Sequence, residues 1–283
     1  MPPIDPDPGK AAADPHRPWR AAGRPPPAAA PPLPGAPFLT QKWRDVAFLH
    51  WPAAPEHVAP LLPEGTWPDV LGGVTYVGVV AFQATATRVA GFLPVGAFNE
   101  VNVRLYSVDR QGRQGVVFLS MDADSLHNVL AARLLVRLPY MWSDVSLGRD
   151  ADGRRGYAVQ RRCPMAGAGV RFRIRVGGRI RVPCPAQRFV TARWGLHAHH
   201  TGGTRWIRIL HQQWELYSAD LTSYEGELVD AAGVPIGSAA APWALWSPGV
   251  DTSLRPDRPP DLYSRPHSAC HTPRTCPQPG DLG

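Results

Sequence analysis

The chain has 283 residues and a formal net charge of +7, enough length for one sizeable core and a balance that admits nucleic-acid or membrane-surface partners. Lysine occurs only at Lys10 and Lys42, so the charge is nearly all arginine, which points to a GC-rich coding bias before it points to a polyanion. No apolar run reaches membrane-spanning length and the N-terminus lacks the apolar stretch of a signal peptide, so the expectation is a cytoplasmic protein with reduced thiols and no membrane.

Residues 1–37 are roughly one-third proline and 253–283 return to Pro, Arg, Ser, Thr and Asp, compositions that cannot bury enough apolar area to offset chain entropy. Two disordered tails and one domain, 38–252, are therefore expected. Within it, Gln41–Trp51 reads as an opening strand, Pro55–Pro63 as a short helix bounded by prolines, and Gly73–Gln83 as a buried strand. Phe98–Val108 and Gly115–Asp122 read as a hairpin turning at Asp109–Gly112. Ser125–Leu138 is the clearest helix: Leu126, Val129, Leu130 and Leu134 recur at helical spacing, Asp122, Asp124 or Ser125 can cap it, and Pro139 stops it. Val170–Val176 alternates strictly, with Gly177-Gly178 read as a tight turn and Arg179–Val182 as the returning strand. Pro185–Trp194 reads as a short helix, Thr204–Leu210 as a strand, and Glu225–Gly237 as a hairpin turning at Asp230–Gly233. Many short strands with few helices predict a mainly β, antiparallel α+β domain, a barrel or curled sandwich.

The chemistry-bearing pattern lies on one strand. Glu100, Asn102, Arg104 and Tyr106 point one way, while Val101, Val103 and Leu105 point the other. The polar face either meets solvent or lines a cavity, where a carboxylate and a guanidinium need each other and a ligand. His50 reads as a core histidine, and His211 with Trp214 as a possible pocket wall. His197, His199 and His200 read as a polar loop rather than a metal site. Cys163, Cys184, Cys270 and Cys276 form no close pair, although His267 and His271 flank Cys270; no metal and no cofactor are expected. Ser120 and Ser125 lack a nucleophile-elbow context. Arg171, Arg173 and Arg175 share a strand face, read as solvated rather than as a nucleic-acid surface because no aromatics interleave.

The order of segments WRDVAFLHWP, VTYVGVVAF, FNEVNVRLY, GVVFLSMDA, AARLLVRLPY, FVTARW, HQQWELYSA and LWSPGVD, from Trp43 to about Asp251, resembles the DUF2071 (YqjF-like) family. That resemblance implies an acetoacetate decarboxylase-like fold, a curled antiparallel sheet or barrel around a small-molecule cavity. In the decarboxylases a glutamate on an inner strand is similar to Glu100, and the Schiff-base lysine follows a short helix and a proline, where this chain has Pro139-Tyr140. With Lys10 in a tail and Lys42 at the domain edge, amine catalysis has no agent. The resemblance makes Glu100, Asn102, Arg104, Arg133, Tyr140 and His211 the cavity candidates, with Arg104 expected to pair with Glu100 or a bound anion. Three functions follow: binding of a small anionic or carbonyl-bearing molecule without Schiff-base decarboxylation; non-covalent acid–base catalysis through Glu100 and Arg104; or a nucleic-acid or partner surface at Arg171–Arg175.

Overall fold

The computed structural model describes residues 26–135, 137–236 and 241–257, apart from the side chains of residues 131, 134 and 135. The outer parts of both expected tails, with Lys10, His267, Cys270, His271 and Cys276, lie outside the described residues, as do Gly237 and the Leu134 side chain. The chain opens with β1 (Leu39–Ala53), α1 (Pro55–Val58) running into a 3₁₀ turn (Ala59–Leu61), β2 (Thr66–Pro68), β3 (Thr75–Val89), β4 (Leu93–Asp109) and β5 (Gln114–Ala123). It continues through α2 (Leu126–Leu135), β6 (Tyr140–Arg149), β7 (Arg155–Cys163), β8 (Gly169–Ile180), α3 (Pro185–Thr191) and β9 (Gly195–His200). β10 (Gly203–His211), β11 (Leu216–Gly226), α4 (Leu228–Ala231) and β12 (Trp243–Pro256) complete it.

The twelve strands of the described residues join one sheet, in the order β10-β9-β5-β6-β7-β8-β11-β12-β1-β3-β4-β2. Two further pairings, β4 with β5 and β10 with β12, fold this sheet into two closed circuits. One runs through β6, β7, β8 and β11, the other through β9 and β10. They share the wall β12-β1-β3-β4-β5. Pairing is antiparallel except that β5 runs parallel to β6 and β9. Parallel neighbours need a crossover, and α2 supplies it between β5 and β6.

The shared wall is buried on both faces. Leu49, Val79, Val103 and Leu105 pack with Tyr157, Phe172 and Ile174 of the first circuit. Phe48, Val80, Phe82 and Phe98 pack on the other face with Met121, Tyr140 and Leu245. The strict alternation of β4 therefore does not divide core from water. Its odd and even residues enter two different interiors.

Four expectations change. Gly177-Gly178 is no turn: β8 continues through it and bulges there, Gly177 and Gly178 together facing the single residue Ser218 of β11 between the pairs Val176↔Ala219 and Arg179↔Tyr217. A Cβ at Gly177 would stand 2.5 Å from Ser218 Oγ, so glycine lets the bulged β8 lie close against β11. Asp230–Gly233 is not a hairpin turn: Leu228 and Val229, both 0% exposed, anchor α4 in the core. His197, His199 and His200 lie on β9, not in a loop. Helix α2 turns Asn128 and Val129 inward and leaves Leu126 and Leu130 exposed. β12 runs to Pro256 and pairs with β10 as far as Pro256↔Ile207.

The first circuit holds a buried ion pair. Arg161 Nε and one terminal nitrogen donate to the two oxygens of Asp122 at 2.8 and 2.9 Å, and Ser143 Oγ donates to the same carboxylate at 2.8 Å. Both side chains are about 0–1% exposed. Arg161→Ala leaves Asp122 charged and buried without its partner, so urea unfolding should give a loss of about 3–5 kcal/mol. A loss below about 1 kcal/mol would place the pair among solvated ones.

Candidate functional site

Register across the shared wall assembles the site. Phe48, Val80, Asn102, Met121 and Tyr140 form one row across β1, β3, β4, β5 and β6. His50, Gly78, Arg104 and Phe118 form another, closer to the far end of β4. Glu100, Asn102 and Arg104 are 2%, 2% and 8% exposed. They lie on the face that packs against Phe48 and Tyr140, so the solvated reading of this strand does not hold.

The first pole is a carboxyl. Asn102 Nδ2 donates to Glu100 Oε1 at 3.0 Å, and the Tyr140 hydroxyl donates to Oε2 at 2.9 Å. Burial pushes the Glu100 pKa up to about 7, with the two hydrogen bonds opposing the rise and Asp122 across the wall adding to it. The Tyr140 hydroxyl is held well above its usual range, by burial first and then by the Glu100 charge. Asn102 Oδ1 is buried without a partner among the described residues. Such an acid–base group poised near neutrality is the kind that proton-transfer sites use.

The second pole is a cation. Arg104 Nε donates to the Tyr106 hydroxyl at 3.1 Å, and a terminal nitrogen donates to the Val190 carbonyl at 2.9 Å. Its Cζ lies 5.7 Å from the centroid of Phe48 and 5.6 Å from that of Tyr106. The expected pair with Glu100 does not form; roughly 13 Å of strand separates the two residues. Three arginines are buried among the described residues. Arg161 has Asp122, Arg193 has Asp69 at 2.5 Å, and Arg104 has no carboxylate of the described residues within ion-pair distance. A buried guanidinium without a counterion is costly unless a ligand supplies one.

Histidines frame this pole. His50 Nε2 lies 2.6 Å from the Tyr106 hydroxyl, and Nδ1 has no partner. Burial, then Arg104 and Arg193, hold its pKa well below the ordinary value. Gly78 makes the contact possible, since a Cβ there would stand 2.8 Å from His50 Nε2. His211 packs on Trp194 and Trp214 at 4.6 and 5.0 Å, and burial lowers its pKa to about 4, with Arg104 contributing. Both histidines are therefore neutral donors or acceptors at pH 7. Residues 26–28 lie beside this aromatic group: Trp194 Nε1 donates to the Pro27 carbonyl at 2.8 Å and Gln213 to that of Ala28 at 3.0 Å.

Of the six expected residues, Glu100, Asn102 and Tyr140 form one hydrogen-bonded group, and Arg104 with His211 belongs to the second pole. Arg133 is exposed on α2 and joins neither. The sequence reading named His50 as a core histidine and Tyr106 on the polar face of β4, but passed over Arg193. Tyr106 was visible in the alternation; the other two meet it only through the fold. It also passed over Ser107, whose Oγ lies 2.8 Å from His197 Nδ1, while His197 Nε2 lies 3.3 Å from Asp109. With Ser107 0% exposed, this trio ties β4 to β9 and offers no nucleophile to a substrate. Arg171, Arg173 and Arg175 point to solvent on β8, where Arg171 faces Glu225 and Arg175 faces Asp220 across the ladder. Opposite charges in directly facing positions offset the basic stripe.

The profile of the DUF2071 family, described as "Uncharacterized conserved protein", matches residues 40–251. The uncharacterized protein YqjF of Bacillus subtilis (strain 168) is 28% identical over 208 residues, 70% of this chain and 83% of its own length. Among solved structures, the enduracididine biosynthesis enzyme MppR, complexed with the condensation product of pyruvate and imidazole 4-carboxaldehyde, superposes with a TM-score of 0.55 at 14% identity, covering 88% of this chain and 98% of its own. An acetoacetate decarboxylase-like enzyme from Sphingomonas wittichii RW1 gives 0.53 at 15%, covering 78% and 91%. The acetoacetate decarboxylase of Legionella pneumophila gives 0.52 at 13%, covering 80% and 89%. These structures share the fold.

The raised Glu100 pKa links stability to pH. Between its ordinary value of 4.5 and about 7, the folded state keeps a proton that the unfolded state has lost. The stabilisation is complete below 4.5 and fades as pH rises through 7, by about 3 kcal/mol in all. The lowered histidines act with the opposite sign, losing stability as pH falls below 6.5. The informative quantity is therefore the difference between wild type and Glu100→Gln. Urea titrations from pH 5 to 8 should show the wild type losing about 2–3 kcal/mol relative to the variant; parallel curves would mean an ordinary carboxyl.

Proposed function

The chain belongs to the DUF2071 family, and from that premise we propose that it binds a small organic anion on the interior face of β4, through the guanidinium of Arg104, without Schiff-base chemistry. One observation carries the reading: Arg104 is the one buried arginine among the described residues that lacks a carboxylate, while Arg161 and Arg193 each have one. Evolution of a purely structural strand would favour an apolar residue there, because replacing a buried charge by hydrocarbon is often neutral or stabilising. Neutral His50 and His211 and the Tyr106 hydroxyl add hydrogen-bonding capacity without competing charge. A fold neighbour, MppR, was solved with pyruvate, a small carboxylate with a carbonyl, the chemistry expected of this ligand. Lys42 is exposed on β1, so it offers no buried amine for an imine.

Glu100 favours a second reading, acid–base turnover of the bound molecule. A carboxyl with a pKa near 7 can take and return a proton next to a carbonyl, with Tyr140 hydrogen-bonded to it. On this reading the protein exchanges the methyl protons of pyruvate for deuterium at pH 7, and Glu100→Gln abolishes the exchange, as proton NMR would reveal.

The binding reading has a direct test in Arg104→Met. Calorimetric titration of the wild type with pyruvate, acetoacetate and related small carboxylates should find saturable binding, weakened at least tenfold in the variant. The variant should melt at the same temperature as the wild type or above it. Equal affinity in both proteins, or a variant that loses several kcal/mol of stability, would make Arg104 a structural residue. Borohydride added with pyruvate or acetoacetate should leave the protein mass unchanged; an adduct on Lys42 would overturn the exclusion of Schiff-base chemistry.

A further inference from the structure

A compartment lies beside the polar strip. It is a cavity of about 100 Å³ between α2, the outer ends of β3 and β4, and β9, β10 and β12. It meets the strip at one residue, Tyr140, and Arg104 is not in its wall. Its lining contains no Asp, Glu, Lys, Arg or His; apart from four polar residues it is hydrocarbon. Two of those four are already engaged. Gln41 accepts from Trp43 Nε1 at 2.9 Å, and Tyr140 donates to Glu100. The other two are not: Thr87 Oγ and Asn128 Oδ1 are buried without a partner among the described residues, on side chains of residues 4% and 7% exposed.

Buried polar atoms in native proteins are nearly always satisfied, and each exception calls for a missing partner. Thr87 and Asn128 come from different elements, β3 and α2, and both border the same space. The amide of Asn128 donates through Nδ2 to the Val95 carbonyl at 3.4 Å, which leaves its oxygen as an acceptor. The missing partner is therefore a donor, and a hydroxyl can serve both atoms. A charged group is excluded, because nothing in the wall compensates it and desolvation opposes its entering. On the same volume scale one water needs about 10–15 Å³, so the space suits a group of roughly seven to ten heavy atoms. The turn beyond Val89 and before Val95 carries exposed Phe92 and Leu93, an apolar approach for such a molecule.

We infer that this compartment is a binding site for small neutral, largely hydrocarbon molecules that carry one hydroxyl or amide donor, the donor facing Thr87 and Asn128. It is independent of anion binding at Arg104.

The experiment uses the full chain with 1-hexanol as probe and hexanoate as its charged counterpart, followed by NMR of methyl-labelled Ile, Leu and Val. Hexanol should shift the methyls of Val89, Leu196, Ile207 and Leu254 saturably and leave Ile174, in the other circuit, unmoved. Hexanoate should act on these four at least tenfold more weakly. Thr87→Val should weaken hexanol about three- to tenfold, and Ala132→Phe, which fills the space, should abolish its effect while the remaining spectrum reports a folded protein. Arg104→Met should leave hexanol binding unchanged, which separates this site from the anion site. Non-saturable shifts, shifts shared by Ile174, or equal response to hexanoate would each overturn the assignment, and the wild-type spectra alone suffice if a variant fails to fold.

Discussion

The wall β12-β1-β3-β4-β5 is covered on both sides, and the rest of the site follows from that constraint. An ordinary antiparallel sheet sends alternate residues to water. Here β6–β8 and β11 cover one face, while β9, β10, α2 and α3 cover the other. Glu100, Asn102 and Arg104 consequently cannot reach bulk solvent by side-chain rotation. Each has to be satisfied inside. Hydrocarbon on both faces of the wall supplies the stability that permits a polar row to persist there.

Comparison of the three buried arginines within this one molecule separates structure from function. Arg161 is gripped at both ends of its fork by Asp122, and that carboxylate is further satisfied by Ser143. Arg193 has Asp69 and lies over Phe189 and Tyr106, at 4.2 and 4.8 Å from their centroids. Arg104 has a hydroxyl, a carbonyl and aromatic faces, contacts that orient a cation without neutralising it. Orientation without neutralisation is what an anion site requires before its ligand arrives. At the other end of the same strand, Glu100 shows the complementary arrangement, a carboxyl given two donors and no cation. The two poles therefore place an oriented guanidinium and a two-donor carboxyl on one face of the same strand.

Much of this was legible in the sequence, and the misses share a cause. Period-two alternation in FNEVNVRLY sorted the side chains of β4 correctly, and strong turn chemistry at Asp109–Gly112 fixed the β4–β5 hairpin. Alternation alone could not say which face is wet, because that depends on strands more than ninety residues later, β9 and β10. Gly177-Gly178 misled for a related reason: glycine serves a tight turn and a close strand approach equally well, and only the pairing of both glycines with the single residue Ser218 distinguishes them. Helix spacing put Leu126 and Leu130 in the core, yet the crossover geometry of α2 turned Asn128 inward instead. His50 reads only as a core histidine, and Arg193 carries no local signal. They join Arg104 through Tyr106, across gaps of 56 and 87 residues in the chain.

Arg104 is buried without a carboxylate partner among the described residues, and on the proposed function it takes an anion; its side-chain proton reports on both properties. The Nε–H signal of Arg104 can be assigned in a nitrogen-15 spectrum by its absence in Arg104→Met. A sharp signal at pH 7, protected from solvent exchange by the Tyr106 hydroxyl and displaced saturably by pyruvate, is the predicted result. A signal broadened by exchange like those of exposed arginines, or a protected one indifferent to every small carboxylate, would contradict the account.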